Sequence, residues 1–164
     1  MLSLLIGLAL AQDPDLKPQV MDLLGQMDSP ATAEDYQALG EGVDAVLIEV
    51  ANDDSQPKTK RGRAIQALGY FPSDQSQETL TALLASSDST LKRKAVFALC
   101  IGWGDAALPL VEPALADEDV QVRISTAKAL AMIEGDAADT MLTARLEVET
   151  EDAVKNAIQK SLGN

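Results

Sequence analysis

One triad recurs down this chain, a small residue, a leucine and a second small residue: Ala38-Leu39-Gly40, Ala67-Leu68-Gly69, Ala98-Leu99-Cys100, Ala129-Leu130-Ala131 and Ser161-Leu162-Gly163. Its leucines are 29, 31, 31 and 32 positions apart. A period of that length constrains the fold before any local propensity does. It marks one supersecondary unit copied along the chain, and each copy needs its neighbours to bury its apolar face. The copying is closest over residues 91–135, and the flanking units are looser versions of it.

Each unit reads as two helices. Three residues before the last four triads stand Ala64, Ala95, Thr126 and Ile158, and three before those stand Arg61, Lys92, Arg123 and Lys155. Offsets of three and four put the apolar members on one helix face. Gly104-Asp105 and Gly135-Asp136 follow, with glycine to end the first helix in a left-handed turn and aspartate expected to cap the second. In the second helices Leu80 and Leu84, Val111 and Leu115, and Leu142 and Leu146 are inward-facing i, i+4 pairs. Pro109 fits a first helical turn, whereas Pro113 removes an interior hydrogen bond and predicts a kink or a late start. Aromatic residues make up 3% of the chain, which suits closely packed helices better than sheets. The fold class expected is all-α, a right-handed α-solenoid of stacked antiparallel hairpins.

Ahead of the array, Pro18 can open a helix whose Val20, Leu23, Leu24 and Met27 share a stripe, a reading that makes it an N-terminal cap. The expected organisation is a cap helix over about 16–28, repeats over about 31–54, 60–87, 91–117 and 120–148, and a terminal helix over about 151–162. Residues 2–11 are almost wholly apolar and end in Ala9-Leu10-Ala11 before Gln12-Asp13-Pro14. Small residues at those positions fit signal-peptidase cleavage after Ala11, hence a periplasmic or secreted protein. The n-region carries no Lys or Arg, so an N-terminal helix of a cytoplasmic protein is the alternative. The run is too short for a transmembrane anchor.

Ahead of the triad, Asp88-Ser89-Thr90-Leu91-Lys92, Asp119-Val120-Gln121-Val122-Arg123 and Glu151-Asp152-Ala153-Val154-Lys155 repeat an acid, an apolar residue and a base at fixed offsets. With the Ala-x-x-Ala-Leu-Gly run this resembles the HEAT family, particularly the HEAT-like repeats of phycobilisome lyases. The likeness covers residues from about 31 onward, with Pro57 in the acid slot of the second unit and Thr32 in the basic slot of the first. It implies a stacked-hairpin architecture, with each acid capping its own helix and meeting basic groups along the stack. The resemblance is specific for architecture and nearly silent on function; the role expected is a protein-binding or scaffold module, and the lyase relatives suggest as the alternative an accessory role in chromophore or cofactor attachment.

Charge and composition limit the function further. A net charge of -13 is wrong for a general nucleic-acid binder, which needs a basic face. The chain has no histidine and one cysteine, so neither a His-based catalytic or metal site nor a thiolate zinc cluster can form. No residue marks catalysis, and no cofactor is expected. Cys100 reads as a buried thiol and Trp103, like Tyr70 and Phe71 one unit earlier, as the plug of an inter-helix gap or a recognition anchor. Two surfaces are candidates for a protein or peptide partner. Residues 57–100 carry seven basic side chains against three acids, and stacking should set Lys58, Lys60, Arg61 and Arg63 beside Lys92, Arg93 and Lys94. That cluster either contacts an anionic group or neutralises the acidic flanks. The outward face of the second helices, expected to be concave, holds Glu78, Thr81, Ala82 and Ala85, then Pro109, Glu112, Pro113 and Ala116, then Thr140, Thr143, Ala144 and Glu147. A structural subunit of a larger assembly is the remaining class.

Overall fold

The computed structural model describes residues 15–26 and 29–163; the export signal expected over 1–11 lies outside them. Among the described residues every regular element is helical. The helices are α1 Leu16–Gly25, α2 Ala33–Gln37, α3 Val43–Asn52, α4 Lys58–Leu68, α5 Asp74–Leu83 and α6 Ser89–Trp103, then α7 Leu108–Val111, α8 Val120–Leu130, α9 Asp136–Val148 and α10 Asp152–Ser161. Tighter 3-10 segments, Gly104–Ala107 and Glu112–Ala116, flank α7.

The first helices α4, α6, α8 and α10 lie side by side in one layer. Behind them, α3 packs on α4, α5 on α6, the 112–116 segment on α8, and α9 on α10. Both α4 and α8 are in fuller contact with the second helix before them than with their own. The result is an α-solenoid whose core is filled by the repeating positions. Ala64, Ile65 and Leu68 are buried on α4, Ala95, Val96 and Leu99 on α6, Thr126, Ala127 and Leu130 on α8, and Val154 and Ile158 on α10. Burial of each leucine or isoleucine contributes roughly 1.5–3 kcal/mol, so this ladder dominates the stability. Small residues set the spacing: a Cβ on Gly69 would come within 2.8 Å of the Ala98 carbonyl oxygen, and one on Gly102 within 2.9 Å of the Gly69 carbonyl oxygen.

The first unit departs from the rule. Its first helix, α2, is five residues long and opens with a capping box in which Thr32 and Asp35 bond each other's backbone N–H. Thr32, standing in the basic slot, thus serves as an N-cap. The layer is extended by α1, which packs on α3 and α4 and buries Leu16, Val20 and Leu24. Arg63 Nη1 donates to the Leu24 carbonyl at 2.8 Å, satisfying one of the acceptors that a helix end leaves open.

Two sequence expectations are corrected. Neither Asp105 nor Asp136 caps the following element by its side chain. The turns are made instead by Gly104 (φ 51°) and Gly135 (φ 118°), and the aspartates sit inside the first turn, where the helix dipole favours an acid. The acids at the first-helix starts are also not all double-purpose. Asp88 accepts from the N–H of Thr90 and Leu91 and pairs with Lys58 at 2.7 Å, and Asp119 accepts from Gln121 N–H at 2.7 Å. Glu151, however, makes no side-chain cap.

The carboxylates that meet the periodic bases stand two residues earlier. Lys92 bonds Asp117 at 2.6 Å, and Arg123 Nε bonds Glu149 at 3.0 Å. These same acids receive the backbone N–H of Asp119 and of Glu151, so each pins the entry to the next unit while closing its own hairpin. The antiparallel layout explains it: the start of a first helix lies beside the end of its second helix.

Pro109 and Pro113 break the third second helix into its three short pieces, each proline within the first two residues of its segment. The stretch Ser89–Ala116 is apolar and long enough to span a bilayer by composition. Here Gly104, at φ 51° and ψ -128°, interrupts it, and Leu91, Ala95 and Leu99 face the core.

Candidate functional site

Stacking brings the two basic runs to neighbouring helix starts, and three of the seven bases are paired with acids of the array. Lys58 pairs with Asp88, Arg61 with Asp54 at 2.5 Å and the Ala51 carbonyl at 3.1 Å, and Lys92 with Asp117. Arg63 is held by the Leu24 carbonyl. The stem of Lys94 crosses Gly62, whose missing Cβ would lie 2.8 Å away, and its ammonium donates to Gln66 Oε1 at 2.7 Å. Burial, followed by the nearby charges of Arg93 and Arg63, holds the Lys94 pKa below its ordinary value. Arg93 reaches Thr90 Oγ1 at 3.4 Å, and its Nε is buried without a partner. Lys60 forms no ion pair among the described residues and lies near Gly25 at the end of α1. Three of the seven bases, Lys58, Arg61 and Lys92, thus neutralise acids within the array, while Lys60, Arg63, Arg93 and Lys94 form no ion pair among the described residues.

The second-helix face is different. Among its candidates, Glu78, Ala82, Pro109, Glu112, Pro113, Thr140, Thr143 and Glu147 are exposed and Thr81 half-buried. Only some of them converge. A groove of about 440 Å³ runs between the 112–116 segment and α9, with Glu112, Leu115 and Ala116 on one wall and Ala137, Thr140, Met141, Ala144 and Arg145 on the other. Small side chains make its depth: no branched group from Ala116, Ala137 or Ala144 fills it. The proline-enforced 3-10 winding of the first wall keeps that segment from packing as a regular helix against α9. Thr143 and Glu147 line an adjoining depression with Asp136 and Asp139, while Glu78, Thr81, Ala82, Pro109 and Pro113 line neither.

The groove's polarity is one-sided. Arg145 is bound at 2.6 Å to Glu149, a carboxylate it shares with Arg123, and Thr140 donates its hydroxyl to the Asp136 carbonyl at 2.7 Å. Glu112, Asp136, Asp139 and Glu147 form no ion pair among the described residues. The groove itself thus has an apolar floor with Glu112 on one wall, and the acids Asp136, Asp139 and Glu147 stand in the depression beside it, a side suited to a basic group.

Glu149 is the main residue that the sequence pattern did not single out. It is 5% exposed, and its carboxylate accepts from Arg123, Arg145, and the N–H of Thr150 and Glu151. Burial alone would raise its pKa, yet the Glu151 N–H, Arg145, Arg123 and Thr150 together lower it to about 2. The available signal was its place two residues before a capping position, as for Asp117. Cys100 is buried, and its burial pushes the thiol up to about 12, which leaves it protonated and unreactive at neutral pH. Trp103, Tyr70 and Phe71 are partly buried and pack against the core. Among the described residues no three His, Cys, Asp or Glu side chains converge as metal ligands.

A family model described as HEAT repeats matches residues 78–163, which covers both walls of the groove. No curated protein matches the chain.

Proposed function

The chain belongs to the HEAT-repeat family, and from that premise we propose that it is a non-catalytic protein-binding or scaffold module that takes its partner on the second-helix face. The observation that carries this reading is the groove between the 112–116 segment and α9, with apolar side chains in its floor, Glu112 on one wall, and Asp136, Asp139 and Glu147 in the depression beside it. Partners of this kind of surface are held by an apolar anchor in a pocket and by charge complementarity around it. The occupant that fits is a peptide or helix segment carrying apolar residues flanked by Lys or Arg. Export after Ala11 belongs to the same proposal, and N-terminal sequencing of the protein from its host is expected to begin at Gln12.

The test is site-specific photo-crosslinking in the native host. A photo-reactive residue at Thr140 is expected to capture a partner protein, and Ala144→Trp, which fills the groove, to abolish the capture. Capture that persists in Ala144→Trp, or that occurs only from Lys60 or Lys94, would move the binding face to the basic cluster. A partner that co-purifies in fixed stoichiometry and never exchanges would favour a structural subunit, and a covalently carried chromophore on it would favour a lyase-like accessory role.

A further inference from the structure

Three residues that follow the repeating triad, Tyr70, Ile101 and Met132, stand 31 positions apart and so occupy one place in successive units. Ile101 is 43% exposed and Met132 53% exposed, large apolar groups that a stacked core does not require at the surface. They are joined by depressions along the edge where first helices turn into second helices. Tyr70 belongs both to a depression with Val43, Phe71 and Pro72 and to one with Tyr36 and Ile101. Ile101 belongs in turn to a further one with Cys100, Met132 and Ile133. Apolar knobs thus alternate with hollows along the edge, one of each per repeat.

The charges beside the two end hollows are acidic. Glu41 and Asp44 border the first hollow, and Asp105 and Glu134 the last. None of the four is in an ion pair among the described residues. Arg63 lines the central hollow and keeps its positive charge there, its guanidinium donating to the neutral Leu24 carbonyl, so the acids flank the two end hollows. Contiguous exposed apolar surface rimmed by unpaired charge marks a protein contact, and the acids at its two ends select a basic partner.

Spacing narrows the partner further. Helices packed side by side lie about 8–10 Å apart, so equivalent knobs recur at about that interval. An extended chain in the polyproline II conformation, with three residues per turn and about 3.1 Å per residue, covers the same distance in one turn and returns every third side chain to the same face. We propose that the turn edge is a second docking surface, built for an extended segment of a partner protein with an apolar side chain at every third position and Lys or Arg between. The apolar side chains enter the hollows between Tyr70, Ile101 and Met132, and the basic ones meet the acids on the rim. This surface is distinct from the second-helix groove, and neither depends on the other.

The test uses the full chain and a fluorescent peptide in which three leucines are separated by Lys-Lys pairs, read by anisotropy. Wild type is expected to bind it, and the double variant Ile101→Ser with Met132→Ser to weaken binding about tenfold or more, the scale of losing buried apolar anchors. Asp105→Asn with Glu134→Gln should weaken it several-fold and flatten its salt dependence, while Ala144→Trp leaves it unchanged. Met132→Ser alone serves if the double variant loses helicity. The proposal is overturned if wild type fails to bind, if a peptide with serine in place of leucine binds equally well, or if the serine variants bind as wild type does. Weakening by Ala144→Trp alone would place the peptide in the groove and overturn the edge assignment.

Discussion

The hairpin of α8 and α9 closes through Arg123 on a buried carboxylate, whereas that of α4 and α5 gives Arg61 no acid of its own and is closed only by the more exposed pair of Lys58 and Asp88. Arg123 and Arg61 occupy the same repeat position. Arg123 finds Glu149 at the end of its own second helix. At the corresponding place of the earlier unit stands Ser86, whose hydroxyl accepts only the Asp88 N–H at 3.1 Å, and Arg61 turns back to Asp54 and the Ala51 carbonyl in the preceding unit. Lys92 and Asp117 fall between, a single bond with both side chains mostly buried. A conserved spacing of bases therefore does not produce a uniform set of clasps. What decides each one is the residue two positions before the next cap.

The comparison can be broken at its strong end first. Glu149→Ala leaves two guanidinium groups and two backbone N–H groups facing a void, and removing one partner of a buried ion pair costs about 3–5 kcal/mol. For a chain of this size that is a fall in Tm of about 10 °C, measurable by thermal melts, and a drop below about 3 °C would mean the clasp contributes little.

The same carboxylate dictates an acid response. Its pKa is lowered in the fold from 4.5 to about 2, so between those values the unfolded chain binds the extra proton and stability falls with pH. The contribution is complete above about 4.5 and lost as pH drops toward 2. Denaturant titrations at pH 7, 4.5 and 3 should show this slope in wild type and a shallower one in Glu149→Gln; identical slopes would assign the acid sensitivity elsewhere.

Asp117→Asn keeps a hydrogen bond to Lys92 but not the charge, and is expected to cost about 1–2 kcal/mol by the same titration. At the weak end, Asp54→Asn should change stability by no more than about 0.5 kcal/mol, because the Asp54 side chain is 90% exposed and its pair with Arg61 is screened by water. If Asp54→Asn proved as costly as Asp117→Asn, the distinction between the hairpins would not hold.

Much of the fold is legible in the sequence because the period is carried by buried residues whose type is restricted by packing. Leu68, Leu99 and Leu130 announce the first helices, and Ala64 and Ala95 announce which face is inward. The partner of each base is not legible. It sits in a connecting loop where Ser86, Asp117 and Glu149 differ in type, so no repeated letter marks it. The groove is half legible: Ala116 and Ala144 read as a stripe of small residues, but its depth comes from the 3-10 winding after Pro113, which no spacing rule supplies. The line of Tyr70, Ile101 and Met132 is not legible for a related reason, since residues of three different chemistries share one position and only the exposure of Ile101 and Met132 reveals it.

The fuller contact of α4 and α8 with the second helix before them has a consequence for how the molecule can be cut and lengthened. The period written in the sequence and the unit that coheres in space are out of phase by half a step. A segment removed from one small-Leu-small triad to the next excises a second helix together with the first helix it grips, and leaves joined surfaces that match. The same length removed from cap acid to cap acid separates such a pair at both ends. Shortened or extended versions of this chain are thus best spliced at the helix turns, where Gly104 and Gly135 already carry the change of direction.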